Sequence, residues 1–111
     1  MTRFADLPSV VVLAVAAGAA ALAPGPAVAS LALAKQHACI ACHAVDRKLV
    51  GPAYADVAKK YTGQKDAEAS VMNYIRAGGS GRWGAVPMPP QPSLSDADLK
   101  ALAAWILGGA K

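Results

Sequence analysis

Five consecutive residues, Cys39-Ile40-Ala41-Cys42-His43, place two thiols and an imidazole at the C-x-x-C-H spacing of a c-type haem attachment site. Two cysteines three apart can each add to one of the two vinyl groups on a porphyrin edge. The histidine that follows then lies under the ring with a nitrogen able to reach the iron. Other chemistries compete for these residues. A thioredoxin-like redox pair sits in a βαβ pattern, and no alternating run or crossover unit surrounds Cys39. A structural zinc site takes four ligands, usually as two separated pairs, whereas the chain has two cysteines in all and its other histidine, His37, lies in the same short stretch. A plain disulfide would close a very short loop and leave His43 without a role.

A second chemical feature lies 45 residues beyond His43. The stretch from Gly78 to Pro92 holds four glycines and four prolines and cannot be helical. Pro87, Pro89 and Pro90 each fix a backbone angle around Met88, which is how a single side chain is held in place. A haem iron that already carries a histidine takes a sixth ligand on its opposite face, and a neutral thioether there favours the ferrous state. Met88 is therefore the expected sixth ligand. A methionine filling core space is the competing reading, and it suits Met72, which falls in a helical context.

The first 29 residues say where this chemistry happens. Arg3 is followed by an apolar run from Val10 to Ala23, then by Pro24-Gly25-Pro26 and by Ala27-Val28-Ala29, the A-x-A form recognised by signal peptidase. The run is 14 residues long, short of the 18 or more of a membrane span. An uncleaved anchor is the competing reading, because Asp6 offsets Arg3. Residues 1–29 are thus expected to be a secretory signal and 30–111 one mature domain of 82 residues, exported to a bacterial periplasm. A chain of that size is marginal for a single core, and a buried porphyrin supplies what is missing.

The elements that must position these residues are helices joined by irregular loops. Ser30 is expected to cap a short helix running into Cys39. Tyr54, Val57, Ala58 and Tyr61 share one helical face. A third helix is expected over Ala67 to Ala77, with Val71, Tyr74 and Ile75 on its apolar side and Gly78-Gly79 as its stop. In the last helix Ser95 and Asp98 resemble a capping box, Leu99, Leu102 and Ile106 form a face that Trp105 extends, and Gly108-Gly109 ends it. The fold class is all-α, about four helices wrapped around one covalently bound haem.

The segments Ala34 to Asp46, Val50-Gly51-Pro52-Ala53-Tyr54, Trp83-Gly84, Pro87-Met88-Pro89-Pro90 and the terminal helix with Trp105 resemble class I c-type cytochromes, in particular the small bacterial cytochrome c-551 (cytochrome c8) group. The resemblance covers nearly the whole mature chain. It implies thioether links at Cys39 and Cys42, axial ligands at His43 and Met88, and a Pro52 carbonyl accepting the other ring N–H of His43. It also implies a Trp83 indole directed at a haem propionate, with Arg47 placed where a cation could reach one. Gln91 stands where the family commonly has an asparagine near the ligating sulfur. His37 is expected on the helix surface.

The function expected is that of a soluble periplasmic carrier, not an enzyme, which shuttles one electron between respiratory redox partners through Fe(III)/Fe(II). A small haem peroxidase is the alternative if Met88 is labile, and a haem-free thiol–disulfide oxidoreductase is a third. The mature chain has ten Lys and Arg against six Asp and Glu, net +4, which suits steering toward acidic surfaces of reductases, oxidases or dehydrogenases. Arg47, Lys48 and Arg82 are the candidate steering charges. The apolar rim around Val86 and the proline loop is the alternative docking face. Nucleic acid is excluded as a partner, because the basic residues are dispersed and the chain is exported. A monomer with no stable membrane insertion after signal cleavage is expected.

Overall fold

The computed structural model describes residues 9–19 and 26–111. Arg3, Asp6 and Pro24-Gly25 of the expected signal lie outside the described residues. Val10, Val11, Val12, Leu13 and Val15 are 78–85% exposed and carry no regular secondary structure. No described helix is long and apolar enough to cross a membrane.

Four helices follow: α1 (Pro26–Gln36), α2 (Tyr54–Tyr61), α3 (Ala67–Ala77) and α4 (Asp96–Leu107), with one 3-10 turn at Cys39–Ala41. Among the described residues no strand forms, and the one isolated bridge pairs Gly79 with Met88. The all-α expectation holds.

Helix α4 is the hub, since it packs against α1, α2 and α3. Its start is set by Ser95, whose Oγ accepts the Asp98 N–H at 3.1 Å, while Asp96 and Asp98 place negative charge in the first turn. Leu99, Leu102, Ala103 and Ile106 repeat at helical spacing and are all buried. Leu99 and Leu102 are essentially inaccessible, worth about 1.5–3 kcal/mol each against exposure. At the far end the Ala110 N–H donates to the Trp105 carbonyl and Gly109 to Ile106, closing the helix.

Helix α1 corrects one expectation. Ser30 is not its cap but an interior, buried residue, because the helix already includes Pro26. The Ser30 hydroxyl donates to the Ala101 carbonyl on α4 at 3.5 Å, beside the fully buried Ala34. These small residues let the two helices meet. Nor does α1 run into Cys39: it stops at Gln36, and Ala38 turns the chain with a left-handed φ of 57°.

Helix α2 has no side-chain cap. Its first amides, Tyr54 N–H and Ala55 N–H, donate instead to the carbonyls of Ala44 and Val45 at 2.9 Å each. Those carbonyls directly follow His43, so the start of α2 and the attachment segment satisfy one another.

Candidate functional site

One cavity of ≈ 460 Å³ opens between the attachment segment, α2, α3, α4 and the proline loop. Its lining is mostly apolar, and Cys39, Cys42, His43 and Met88 are all on its wall. Pro52 and Trp83 line it as well. Residues from both ends of the domain therefore converge on one space.

His43 is the most firmly held of them. Its Nδ1 lies 2.8 Å from the Pro52 carbonyl. A carbonyl can only accept, so Nδ1 carries the proton and Nε2 keeps its lone pair. The imidazole stacks on Tyr54 with centroids 5.2 Å apart and planes at 18°, and Tyr54 meets Trp105 edge-on at 5.3 Å. An aromatic column thus runs from α4 through α2 to the imidazole. Burial, and secondarily the charge of Cys39, pushes the Tyr54 phenol above the ordinary tyrosine range, so this ring stays neutral. Gly51 lies close against His43: a Cβ there would come 2.4 Å from Cε1 of the imidazole. The Gly51 N–H also donates to the Cys42 carbonyl at 2.8 Å, folding the segment back onto the C-x-x-C-H turn.

Met88 is held through its backbone. Its N–H donates to the Gly79 carbonyl at 2.8 Å, and the Gly79 N–H donates to the Met88 carbonyl at 3.0 Å. Gly78 has a φ of +65°, and a Cβ on it would sit 2.4 Å from the Met88 oxygen. The Gln91 N–H then anchors the loop to the end of α3 through the Ile75 carbonyl at 3.1 Å. The prolines therefore act together with Gly78-Gly79, which sequence reading takes only as a helix stop. Met72 lies off the cavity wall and packs against the core, as expected.

The remaining candidate residues divide between the cavity wall and its outside. Arg47 does not line the cavity: its exposed guanidinium lies 3.6 Å from the Asp46 carboxylate. Lys48 is the cation on the wall. Arg82 is turned to the Tyr61 hydroxyl and lies 5.2 Å from the Tyr74 ring centroid. His37 is half-buried just past α1 and lines the cavity instead of standing on the helix surface. Gly51, Gly78 and Gly79 are supporting residues that sequence reading missed. The signal for Gly51 was its place before Pro52, but the close approach to His43 is set by folding.

The donor set fits a haem. Two thiols, an imidazole nitrogen left free by a committed Nδ1, and a thioether face one apolar cavity, which is the ligation pattern of a covalent haem with nitrogen and sulfur axial donors. Burial raises the Cys39 thiol above its ordinary value, a backbone hydrogen bond opposing and the Cys42 charge adding.

The family profile described as Cytochrome c matches residues 27–110. Cytochrome c-552 of Hydrogenobacter thermophilus is 61% identical over 75 residues, 68% of this chain and 76% of that protein. Cytochrome c-552 of Nitrosomonas europaea is 52% identical over 91 residues, 82% of this chain and 88% of that protein. The crystal structure of the wild-type Nitrosomonas europaea cytochrome c552 superposes with a TM-score of 0.69 at 52% identity, covering 71% of this chain and 98% of that one.

Proposed function

The chain belongs to the cytochrome c family, a haem-bearing electron carrier with haem c attached covalently, and on that premise we propose that it shuttles single electrons between protein partners in the periplasm. In this reading Cys39 and Cys42 form the thioether links, and His43 and Met88 are the axial ligands. The observation that carries it is the convergence of these four side chains, from two segments far apart in sequence, on one apolar cavity.

Haem c supplies an iron that alternates between Fe(III) and Fe(II). The Pro52 carbonyl holds the His43 N–H, which orients the imidazole and raises its basicity. The Tyr54–Trp105 column keeps it from rotating. The Gly79–Met88 bond pair presents the thioether without needing it to move. The apolar wall, with Val57, Val71, Ile75, Leu102 and Ile106 among its residues, excludes water and keeps the reorganisation that accompanies a charge change small. With His43 and Met88 both holding the iron, the chain would leave no open position for peroxide, so the carrier reading is preferred to the peroxidase.

Residues 1–29 act as an export signal and cleavage after Ala29 leaves Ser30–Lys111. The mature protein is a monomer whose partners present acidic surfaces, with Lys48 on the cavity wall as a steering charge. The test is intact mass and optical spectra of the protein isolated from a periplasmic fraction. A chain starting at Ser30 with one haem that survives denaturation, and a Met-to-Fe(III) charge-transfer band when oxidised, is the expected result. A mass equal to the bare chain, or haem that extracts into acidic organic solvent, overturns it.

A further inference from the structure

Beyond the Gly79 bridge to Met88, the segment from Gly79 to Gly84 has little backbone bonding to hold it in place. Gly79, Gly81 and Gly84 have φ values of +151°, +95° and +112°, and its one large apolar side chain, Trp83, is only half-buried. Its internal bond is a tight turn in which the Gly81 N–H donates to the Gly84 carbonyl at 2.7 Å. Yet Trp83 forms part of the cavity wall, so something else must fix the turn.

Two cations do so, one from α2 and one from the turn itself. Lys60, near the end of α2, donates from Nζ to the Arg82 carbonyl at 2.9 Å, and the same ammonium lies 4.3 Å from the centre of the Trp83 ring. One group therefore grips both the peptide before the indole and the indole face. Arg82 reaches the other way, donating to the Tyr61 hydroxyl on α2 while its guanidinium lies over Tyr74 on α3. Among the described residues neither cation forms an ion pair with a carboxylate; oxygen acceptors and aromatic faces take both.

We propose that Lys60 and Arg82 form a latch that fastens the Gly79–Gly84 turn to α2 and α3 and so positions Trp83 in the cavity wall. They are positioning residues, and Arg82 is not primarily a charge for docking partners. Both components are donor contacts to neutral oxygens or π faces, so charge alone does not reproduce them. A lysine at position 82 keeps the charge but loses the planar fork that spans Tyr61 and Tyr74. An arginine at position 60 keeps both a donor and a cation over the indole.

The experiment uses the reduced holoprotein and compares Lys60→Met, Lys60→Arg and Arg82→Lys. Native-state hydrogen exchange at the Gly81 amide reads the turn, the Leu99 amide in α4 reads global stability, and voltammetry reads the cavity. The expected result is exchange at Gly81 faster by roughly tenfold in Lys60→Met and Arg82→Lys, an unchanged Leu99, and a shifted potential in both. Lys60→Arg should match the parent in every readout. Wild-type exchange in Arg82→Lys would overturn the latch, as would equal acceleration at Leu99. Faster exchange with an unmoved potential would overturn the positioning of the wall. Only the potential rests on the haem reading; the exchange measurement would stand if that reading failed.

Discussion

The two segments that carry the proposed ligands are held by different means. His43 is set by the core: a hydrogen bond to Pro52, a ring stack on Tyr54, and Trp105 behind that. Met88 is set by a loop, through two backbone bonds to Gly79 and one from Gln91 to the end of α3. Pulling His43 out of place means disturbing α2 and α4. Releasing Met88 means opening a two-residue bridge, which local opening can do at much lower free energy than global unfolding. The asymmetry suits the proposed carrier, in which His43 would be inseparable from the fold and Met88 would be the adjustable ligand.

The largest effect should come from removing the shared dependence of both sides on the cofactor. Cys39→Ala with Cys42→Ala is expected to abolish covalent haem. A core this small that opens on an unfilled cavity of ≈ 460 Å³ lacks the packing a single domain needs. Far-UV circular dichroism of the purified double variant should show little helix; a native-like helical spectrum and a cooperative melt would refute the dependence.

The asymmetry itself is tested by a pair of glycine replacements. Gly51→Ala puts a Cβ into the imidazole, whose ring is pinned by Pro52 and Tyr54, so strain passes into the core. We expect a loss of about 1–3 kcal/mol in denaturant melts with the charge-transfer band of the methionine retained. Gly78→Ala drives a Cβ against the Met88 carbonyl at a positive φ. It should weaken or erase that band while the covalent haem and the cooperative core remain. If the two variants exchanged these signatures, the division between core-held and loop-held ligands would be wrong.

Met88→Ala isolates the loop side with less structural disturbance. Since the Gly79 bridge is made by backbone atoms, the loop path should survive. The haem stays attached, the charge-transfer band disappears, the potential falls, and exogenous ligands such as imidazole bind. His43→Ala is expected to cost more stability, because the stack on Tyr54 and the bond to Pro52 go with it. Unchanged spectra in Met88→Ala would refute Met88 as the sixth ligand; a lost methionine band with no binding of exogenous imidazole would point to His37, which also lines the cavity.

How much of this was legible in the sequence follows from where each determinant lies. Helices α2 and α3 form with the expected buried faces, because Tyr54, Val57 and Tyr61, then Val71 and Ile75, carry their own periodicity. The Ser95 cap is likewise a local signal. Ser30 misled because a serine before an alanine-rich stretch reads as a cap, whereas here it is buried against Ala101. Of the supports of the site, the Pro52 carbonyl at His43 was legible, whereas the close approaches were not. Gly51 matters through the ring of His43, Gly78 through the Met88 carbonyl, and Lys60 through a peptide 22 residues away. Arg47 beside Asp46 and Arg82 against Tyr61 show the same limit: charge is visible in a sequence, its partner is not.

The smallest prediction sharpens the comparison from the strain on each side. On the loop side every positive φ falls on glycine: Gly78, Gly79, Gly81 and Gly84. On the attachment side Ala38, next to Cys39, carries a φ of 57° with a Cβ present. Left-handed backbone costs alanine about 1–2 kcal/mol, and glycine returns roughly 0.5–1 kcal/mol of that as entropy of the unfolded chain. Ala38 is exposed, so removing its methyl costs little packing. Ala38→Gly should therefore stabilise the holoprotein by about 0.5–1 kcal/mol, raising Tm by a few degrees with the spectrum unchanged. Ala110, also left-handed at φ 59° but 9% exposed and part of the core cluster, is the control: relief of strain there is offset by lost burial, and Ala110→Gly should gain less or nothing. A lower Tm for Ala38→Gly would mean that the alanine methyl supports the attachment turn more than its backbone strains it.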